Sequence, residues 1–313
     1  MSLNTISNRE STHSCSQESL NVQEPLFGSM AKSSFWFLVE YPFAWGVKAF
    51  KESDIPQLVK EKLSSTVNLA PEARLQLIKK SNSGFKDPIT IYVALPYENH
   101  PLLYKFLLTN YEKILDFDFV ALLSGEQVYR EHIQTEPLYL VCTNGKRDAC
   151  CAKSGLPVFA SLQRIVRNTV WQTTHVGGHR FAANVLCFPY GILYGRVSVE
   201  DVKSIVDSIQ QGEILIEKYR GRACYNEVVQ AAEYYLRLKT NINGISAFRL
   251  QGIKEEAENE WSIVFLKLEG DTRYRIKVSA SLSNYQIYLS CKDIEKKAVN
   301  IYSLEQFKTD KSK

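Results

Sequence analysis

The sequence lacks the long apolar runs of a membrane protein. No run approaches the roughly 20 residues that a spanning helix needs, and the longest near the start covers only residues 35–39. A strong charge of either sign is also missing, because 38 basic and 34 acidic residues leave a net charge of +4. We therefore expect a protein that neither spans a membrane nor binds nucleic acid.

The first 34 residues lack the features of a targeting signal. They are rich in serine and mix acidic side chains such as Glu18 with basic ones such as Lys32. They therefore resemble neither a secretory signal nor an Arg-rich, acid-poor transit peptide. We expect a disordered N-terminal tail over residues 1–34 and a cytoplasmic protein. Seven cysteines in that compartment argue against a disulfide framework.

Alternating strand and helix patterns follow this tail. They favour an α/β fold, an open sheet flanked by helices in a thioredoxin-like layout over residues 35–212. Within it, apolar spacing over 100–115 and Pro157 at a first helical position predict two of the helices. The predicted strands are 35–41, 74–78, 89–95, 137–142, 170–175, 183–188 and 192–197.

A different composition begins after residue 212. A helical pattern over 226–238 and alternating strands, the last of them over 286–291, predict a small α+β C-terminal extension over 213–313. The charged residues 308–313 are expected to be a frayed end. No internal repeat is evident in the sequence.

Two cysteines bracket a basic loop in the middle of the chain. Cys142 ends a predicted strand, and Cys151 stands just ahead of a predicted helix. A helix N-terminus and nearby cations such as Lys146 and Arg147 both favour thiolate over thiol. These cations could offset the charge of a metal centre or dock an acidic partner.

Two histidines follow on the next predicted strand end. His175 and His179 are separated by one valine and by Gly177 and Gly178, which let the backbone turn tightly so that the imidazoles can lie side by side. Ends of parallel strands lie at one edge of a sheet, so the cysteines and histidines can converge there.

The residues alone leave several chemistries open. Zinc accepts two cysteines and two histidines, although the eight-residue loop between the cysteines is longer than the roughly two to four residues of common zinc knuckles. A thiol–disulfide site could use the adjacent Cys150 and Cys151, but a bridge between neighbours forms a strained ring. A purely structural role for these side chains is the remaining reading.

At this point the sequence resembles a known family. The motifs that carry the resemblance are Cys142…Lys146-Arg147-Asp148…Cys151, then His175-Val-Gly-Gly-His179-Arg180-Phe-Ala-Ala-Asn184, then Tyr194-Gly-Arg196. Over about residues 35–212 the chain resembles the sucrase/ferredoxin-like family of thioredoxin-like [2Fe–2S] ferredoxins. Later segments, 221–225 and 229–233, resemble the C-terminal extension of bacterial members.

The resemblance implies a [2Fe–2S] cluster with Cys142, Cys151, His175 and His179 as ligands. Cys150 stays open as the alternative to Cys151, since a shift of one residue would exchange them. The flanking residues that it implies near the cluster are Lys146, Arg147, Gly177, Gly178 and Arg180. No paired carboxylates support the sucrase half of the family name.

The function expected from the resemblance is electron transfer or redox sensing, without enzymatic activity. A reductase or an electron acceptor would be the partner protein. Two neutral imidazoles in place of thiolates raise the potential, to roughly −150 to +300 mV in Rieske centres against about −400 mV in plant-type ferredoxins. A thiol–disulfide oxidoreductase using Cys150 and Cys151 and a structural zinc module are the alternatives.

Overall fold

A computed structural model describes residues 14–69, 72–80, 88–125 and 127–311. None of the helices in these residues is long and apolar enough to cross a membrane. The α-helices are α1 Cys15–Asn21, α2 Ala49–Glu52, α3 Gln57–Leu69, α4 Phe119–Ser124, α5 Ala149–Val166, α6 Val202–Gln210 and α7 Glu227–Thr240. The strands are β1 Trp36–Glu40, β2 Arg74–Lys79, β3 Ile89–Leu95, β4 Leu102–Leu108, β5 Leu138–Cys142, β6 Val170–Thr173, β7 Val185–Phe188, β8 Ile192–Tyr194, β9 Tyr219–Arg222, β10 Phe248–Ala257, β11 Glu260–Lys267, β12 Thr272–Leu282 and β13 Asn300–Lys311.

The larger sheet has the strand order β4-β3-β1-β2-β6-β5-β7-β8-β9. In its second half, α5 connects the parallel strands β5 and β6, while β7 pairs antiparallel with β5 and β8 with β7. This is a thioredoxin-like arrangement in an open, mixed α/β sheet, as predicted. Strand β5 is buried along its whole length because Tyr139 and Val141 pack with α5 on one face, while Leu138 and Leu140 pack with Trp171 on the other.

The first half of this sheet repeats the topology of the second. Helix α3 connects the parallel strands β1 and β2, and β3 and β4 follow as antiparallel neighbours. The equivalent strands β2 and β6 pair antiparallel through their last residues, with Ile78 opposite Thr173. The C-terminal ends of both sets of parallel strands therefore meet at the junction of the halves. The expectation of no internal repeat is wrong at the level of topology.

The C-terminal region forms a second, antiparallel sheet in the order β10-β11-β12-β13. Helix α7 packs against it through side chains such as Val229 and Leu236, which pack with Phe265 and Ile276.

Some predictions for this region differ from the structure. The last strand, β13, pairs with β12 along its length, so the prediction of a frayed end over 308–313 is wrong for the residues up to 311. The strand predicted over 286–291 is irregular, and β9 extends the first sheet past the boundary predicted at residue 212. The division into domains stays a prediction.

Two predicted helices also differ in the structure. Residues 102–108 form strand β4 rather than a helix, because they pair with β3 from Leu102 to Leu108, and a 3₁₀ helix, Tyr111–Asp116, follows. Helix α5 begins at Ala149 and contains Pro157 eight residues further on. Its true start places Cys150 and Cys151 in its first turn.

The disordered tail predicted over residues 1–34 is wrong for residues 14–34. Helix α1 begins at Cys15, whose side chain is fully buried. Further along, the Glu24 carboxylate lies 2.8 Å from Nε of Arg180. Residues 1–13 lie outside the described residues.

A buried ion-pair network joins β9 to α7. Oε1 of Glu233 lies 2.8 Å from Nη2 of Arg237 and 3.5 Å from Nη1 of Arg222, and Oε2 accepts a hydrogen bond from the hydroxyl of Tyr219. Burial opposes the charge of Glu233, but the two arginines hold the pKa of its carboxyl below the ordinary value. The network therefore stays ionised at neutral pH and fixes α7 on the sheet.

We expect Glu233→Ala to lower the free energy of unfolding by roughly 3–5 kcal/mol, because it leaves two buried arginines without their shared carboxylate. Urea unfolding at neutral pH measures the change. Glu217→Ala, at an exposed site near β9, is the control and should shift stability by less than about 0.5 kcal/mol. Equal effects of the two substitutions would contradict the role given to Glu233.

Candidate metal centre

Two buried thiols and one histidine lie together at the junction end of β5. Cys142 is the last residue of β5, and Cys151 lies in the first turn of α5. Their sulfurs and a ring nitrogen of His175 all lie within 4.8 Å of one another. Helix α5 begins here because Asp148 is its N-cap and accepts the backbone N–H of Cys150 at 3.0 Å.

The contact between the two thiols shifts their pKa values in opposite directions. Contact with the Cys151 thiol lowers the pKa of Cys142 well below the usual value, against the opposing effect of burial, and His175 lowers it further. The same contact raises the pKa of Cys151. Cys142 is therefore the thiol that loses its proton first. The resulting thiolate is the form that binds a metal.

The second pair of predicted ligands lies on a tight loop after β6. Gly177 and Gly178 take φ values of +97° and +66°, and the turn brings the ring centroids of His175 and His179 to 4.6 Å. Among the described residues, neither buried Nδ1 atom has a hydrogen-bond partner. Both histidines therefore carry a buried nitrogen that is open to a further partner, and one of the two, His175, lies beside the thiols.

His179 lies slightly apart from the other three side chains. Its Nε2 is 3.8 Å from Oδ2 of Asp148. Burial lowers the pKa of His179 to about 4, although Asp148 acts in the opposite direction. The ring is therefore neutral at physiological pH and offers a lone pair to a metal. The grouped side chains Cys142, Cys151 and His175 suit either zinc or a [2Fe–2S] cluster, and the neighbouring His179 offers a fourth ligand.

Cys150 points away from this group, although it neighbours Cys151. Its sulfur lies 3.7 Å from that of Cys15 and 3.2 Å from that of Cys291. Cys151, and not Cys150, is the residue beside Cys142. Both adjacent thiols are buried, so the geometry offers no exposed nucleophile for a vicinal dithiol enzyme.

Arg220 is a buried cation beside the centre that the sequence reading missed. It donates to Oδ1 of Asn184 at 2.7 Å and to the carbonyl of Gly177 at 3.1 Å. Asn184 in turn donates to the carbonyl of Gly178 at 3.0 Å. Burial lowers the pKa of Arg220 to about 9, with Cys142 among the groups that oppose the shift. It stays charged, supports the histidine loop and offsets thiolate charge.

The predicted flanking cations have different surroundings. Lys146 and Arg147 are exposed on the loop after β5, where they can meet a partner. Arg180 instead pairs with Glu24 and stacks on Phe181, with its guanidinium 4.4 Å from the ring centroid. Its contacts hold the segment before β1 against the histidine loop.

A cavity of about 430 Å³ opens beside His175 at the junction of the two halves of the sheet. The first half contributes the basic side chains Lys48 and Lys51, and the second half contributes Arg147. Asn144 fixes one wall by donating to the carbonyl of Gly46 at 3.2 Å. The cavity connects the edge of the centre with solvent and has a positive rim.

A thioredoxin-like fold with a candidate centre of two cysteines and two histidines places this chain among ferredoxin-like proteins. The sucrase/ferredoxin-like family matches residues 26–221, which is more than half of the chain, and the protein belongs to that family. The family match contains the four candidate ligands and Arg220.

Two yeast proteins, both called altered inheritance of mitochondria protein 32, are similar to part of the chain. The one from Meyerozyma guilliermondii is 38% identical over 104 residues, 30% of this chain and 37% of that protein. The one from Saccharomyces kudriavzevii is 31% identical over 101 residues, 28% of this chain and 32% of that protein. The match thus spans about a third of the length of these relatives. They give no support to the bacterial branch predicted from residues 221–233.

Among solved structures, the thioredoxin-like [2Fe–2S] ferredoxin from Aquifex aeolicus is similar over 28% of this chain and 91% of its own, with 18% identity and a TM-score of 0.25. A cysteine-to-serine variant of that ferredoxin covers 27% of this chain and 97% of its own, with 20% identity and the same TM-score.

We expect Gly178→Ala to destabilise the protein by about 1–3 kcal/mol more than Gly177→Ala. A Cβ on Gly178 would lie 2.3 Å from Nη2 of Arg220, whereas one on Gly177 meets no atom within 4 Å. The backbone penalty is larger at Gly177, whose φ of +97° lies further from the left-handed region than the +66° of Gly178. A larger effect at Gly178 would therefore come from the contact with Arg220. Urea unfolding measures it, and equal destabilisation would show that Arg220 does not confine this loop.

Proposed function

We propose that this protein transfers or senses electrons through a [2Fe–2S] cluster held by Cys142, Cys151, His175 and His179. The observation that carries the proposal is the buried pair of thiols beside His175, whose ring lies 4.6 Å from that of His179. The Nδ1 atoms of both histidines have no partner among the described residues. Membership of a ferredoxin-like family favours the cluster over zinc.

A bound cluster would supply one-electron chemistry at a potential raised by its imidazole ligands. The protein's own residues have three tasks around it. Cys142 and Cys151 provide buried thiolates, and Arg220 places a positive charge next to them without access to water. Arg220 and Asn184 also fix the backbone of the histidine loop, which limits reorganisation when the charge of the centre changes.

His175 is the ligand through which electrons would enter or leave. It is half-buried and lines the cavity whose rim carries Lys48, Lys51 and Arg147. A positive rim attracts an acidic protein and orients it towards the histidine edge. The partner we propose is therefore an acidic redox protein, either a reductase or an electron acceptor.

The cellular compartment stays a proposal. We propose the cytoplasm, with the mitochondrion as the alternative because the name of the two yeast relatives concerns the inheritance of mitochondria. Fractionation of cells followed by detection of the full chain separates the two locations.

We expect the anaerobically purified protein to contain iron and sulfide in equal amounts and to absorb visible light. His175→Ala should lose both, because the centre loses a ligand. His175→Cys should retain a cluster at a potential lower by roughly 100–350 mV, about half of the gap between Rieske and plant-type centres, because only one of the two imidazoles is replaced. Elemental analysis, visible spectroscopy and a redox titration provide the measurements.

The exposed His100 gives the control, His100→Ala, which should match the wild type. Colourless protein with stoichiometric zinc bound by two sulfurs and two nitrogens would show that the centre is a structural zinc module and not a cluster. Disulfide reductase activity that survives the loss of both histidines would instead support the thiol–disulfide alternative.

We expect Arg147→Glu to slow reduction of the protein by an acidic flavodoxin roughly tenfold at low ionic strength, because steering by the positive rim is reversed in part. Stopped-flow kinetics at two salt concentrations measure the rate, and added salt should narrow the difference. Lys203→Glu, on the exposed surface of α6, changes the same charge away from the cavity and is the control. Equal slowing by both variants would contradict docking at the cavity.

A further inference from the structure

We propose that the chain holds a second metal site, in which Cys15, Cys150, Cys291 and Asp148 bind one zinc ion. The four side chains are buried, and one ligand atom from each lies within 4.8 Å of the others. None of these four residues belongs to the ligand set proposed for the first centre. The two sites have different ligands but are in contact, because Oδ2 of Asp148 lies 3.8 Å from Nε2 of His179.

The spacing of the three sulfurs fits one tetrahedral ion. They are separated by 3.2 Å, 3.5 Å and 3.7 Å for the pairs 150–291, 15–291 and 15–150. Sulfurs at the zinc–thiolate distance of about 2.3 Å would lie about 3.8 Å apart at the corners of a tetrahedron. A disulfide would need a separation of about 2.05 Å and would leave the third thiol without a partner.

Asp148 can supply the fourth ligand atom. Its Oδ1 accepts the backbone N–H of Cys150 at 3.0 Å and the thiol of Cys15 at 3.8 Å. Loss of the Cys15 thiol proton on metal binding would free one lone pair of this oxygen. The other oxygen accepts from the hydroxyl of Ser290 and from the N–H of Cys291, at 3.0 Å and 2.8 Å. These donors fix the carboxylate as hydrogen bonds around metal ligands do.

The surroundings of the sulfurs favour thiolates. Cys150 lies in the first turn of the 18-residue helix α5, where the helix dipole stabilises negative charge. The hydroxyl of Ser16 donates to its sulfur at 3.2 Å, and the N–H of Cys15 donates to the sulfur of Cys291 at 3.5 Å. Three soft sulfur ligands and one carboxylate suit zinc and disfavour magnesium or calcium.

The site joins three distant parts of the chain. Cys15 and Cys291 lie 276 residues apart and both fall outside the family match at 26–221, whereas Cys150 lies inside it. Other contacts support the same meeting point: Oε2 of Glu18 accepts the N–H of Tyr288 at 2.9 Å, and Lys296 pairs with Glu18. Zinc would thus hold segments 14–25 and 284–298 against the start of α5.

The full chain, produced in zinc-supplemented medium and purified anaerobically, tests the site. We expect about one zinc per chain in addition to any iron, with an X-ray absorption fit of three sulfurs at ~2.3 Å and one oxygen at ~2.0 Å. Cys15→Ser and Cys291→Ser should retain zinc at least roughly tenfold more weakly in a chelator competition. Cys224→Ser, a half-buried cysteine outside both groups, should retain it like the wild type.

Metal analysis separates this proposal from the first. Cys291→Ser should lose zinc and keep iron and sulfide, and His175→Ala should lose iron and keep zinc. In the unmodified chain, removing zinc with a chelator should speed hydrogen exchange in segments 14–25 and 284–298. This last measurement requires no variant to fold.

Four results would overturn the second site. They are an absence of zinc from chains that carry seven free thiols, a Cys150–Cys291 disulfide in the anaerobic preparation, zinc bound by two sulfurs and two nitrogens, and unchanged exchange in both segments after zinc removal. The third result would place zinc among the ligands of the first centre.

Discussion

The buried carboxylate of Asp148 connects every part of the molecule that meets near the candidate centre. It caps α5 through the N–H of Cys150, accepts from the N–H of Cys291, and lies 3.8 Å from Nε2 of His179. A charge with no exposure to water is stable only when donors surround it. The start of α5, the histidine loop and segment 284–298 therefore share one side chain as a common contact.

The second constraint is the way in which the two halves of the sheet join. Because only the last residues of β2 and β6 pair, the loops after the parallel strands of both halves gather at one place. The first half contains no cysteine between residues 16 and 141, so it provides no thiol to the centre. Its segment 46–51, which leads into α2, instead lines the cavity beside His175. In the proposed function the second half of the sheet supplies the ligands, and the first half borders the cavity that leads to them.

Local patterns were enough to predict the sheet of the second half and the set of residues near its edge. Strand β5 is a continuous apolar run that ends at Cys142, and the glycine pair after His175 indicates a turn that brings His179 back. These are properties of a few neighbouring residues. The prediction over 100–115 is wrong because pairing with β3 outweighs a helical spacing of apolar side chains, and nothing within that segment reveals the pairing.

The spacing of the family pattern favoured Cys151 and left Cys150 as the alternative, because which of the two thiols faces Cys142 depends on where α5 starts. Pro157 suggested a late start, whereas the side chain of Asp148 caps the helix eight residues earlier. An aspartate directly before the Ala-Cys-Cys run was the signal available for that start. No local signal indicates the roles of Arg220, Cys15 and Cys291, because their contacts join segments far apart in the chain. Arg220 donates to Asn184, and the sulfurs of Cys15 and Cys291 lie beside that of Cys150.

The separation of Cys15 from Cys291 also bears on the order in which the protein is assembled. A chain grows from its N-terminus and its domains begin to fold during synthesis, so the thioredoxin-like sheet and the four residues of the first centre exist well before residue 291 does. Until then the Cys150 thiol has only its contacts with the segment around α1, in which Ser16 lies 3.2 Å and Cys15 3.7 Å from its sulfur. Segment 284–298 completes these surroundings last, so the proposed zinc site can load only after residue 291 has been made.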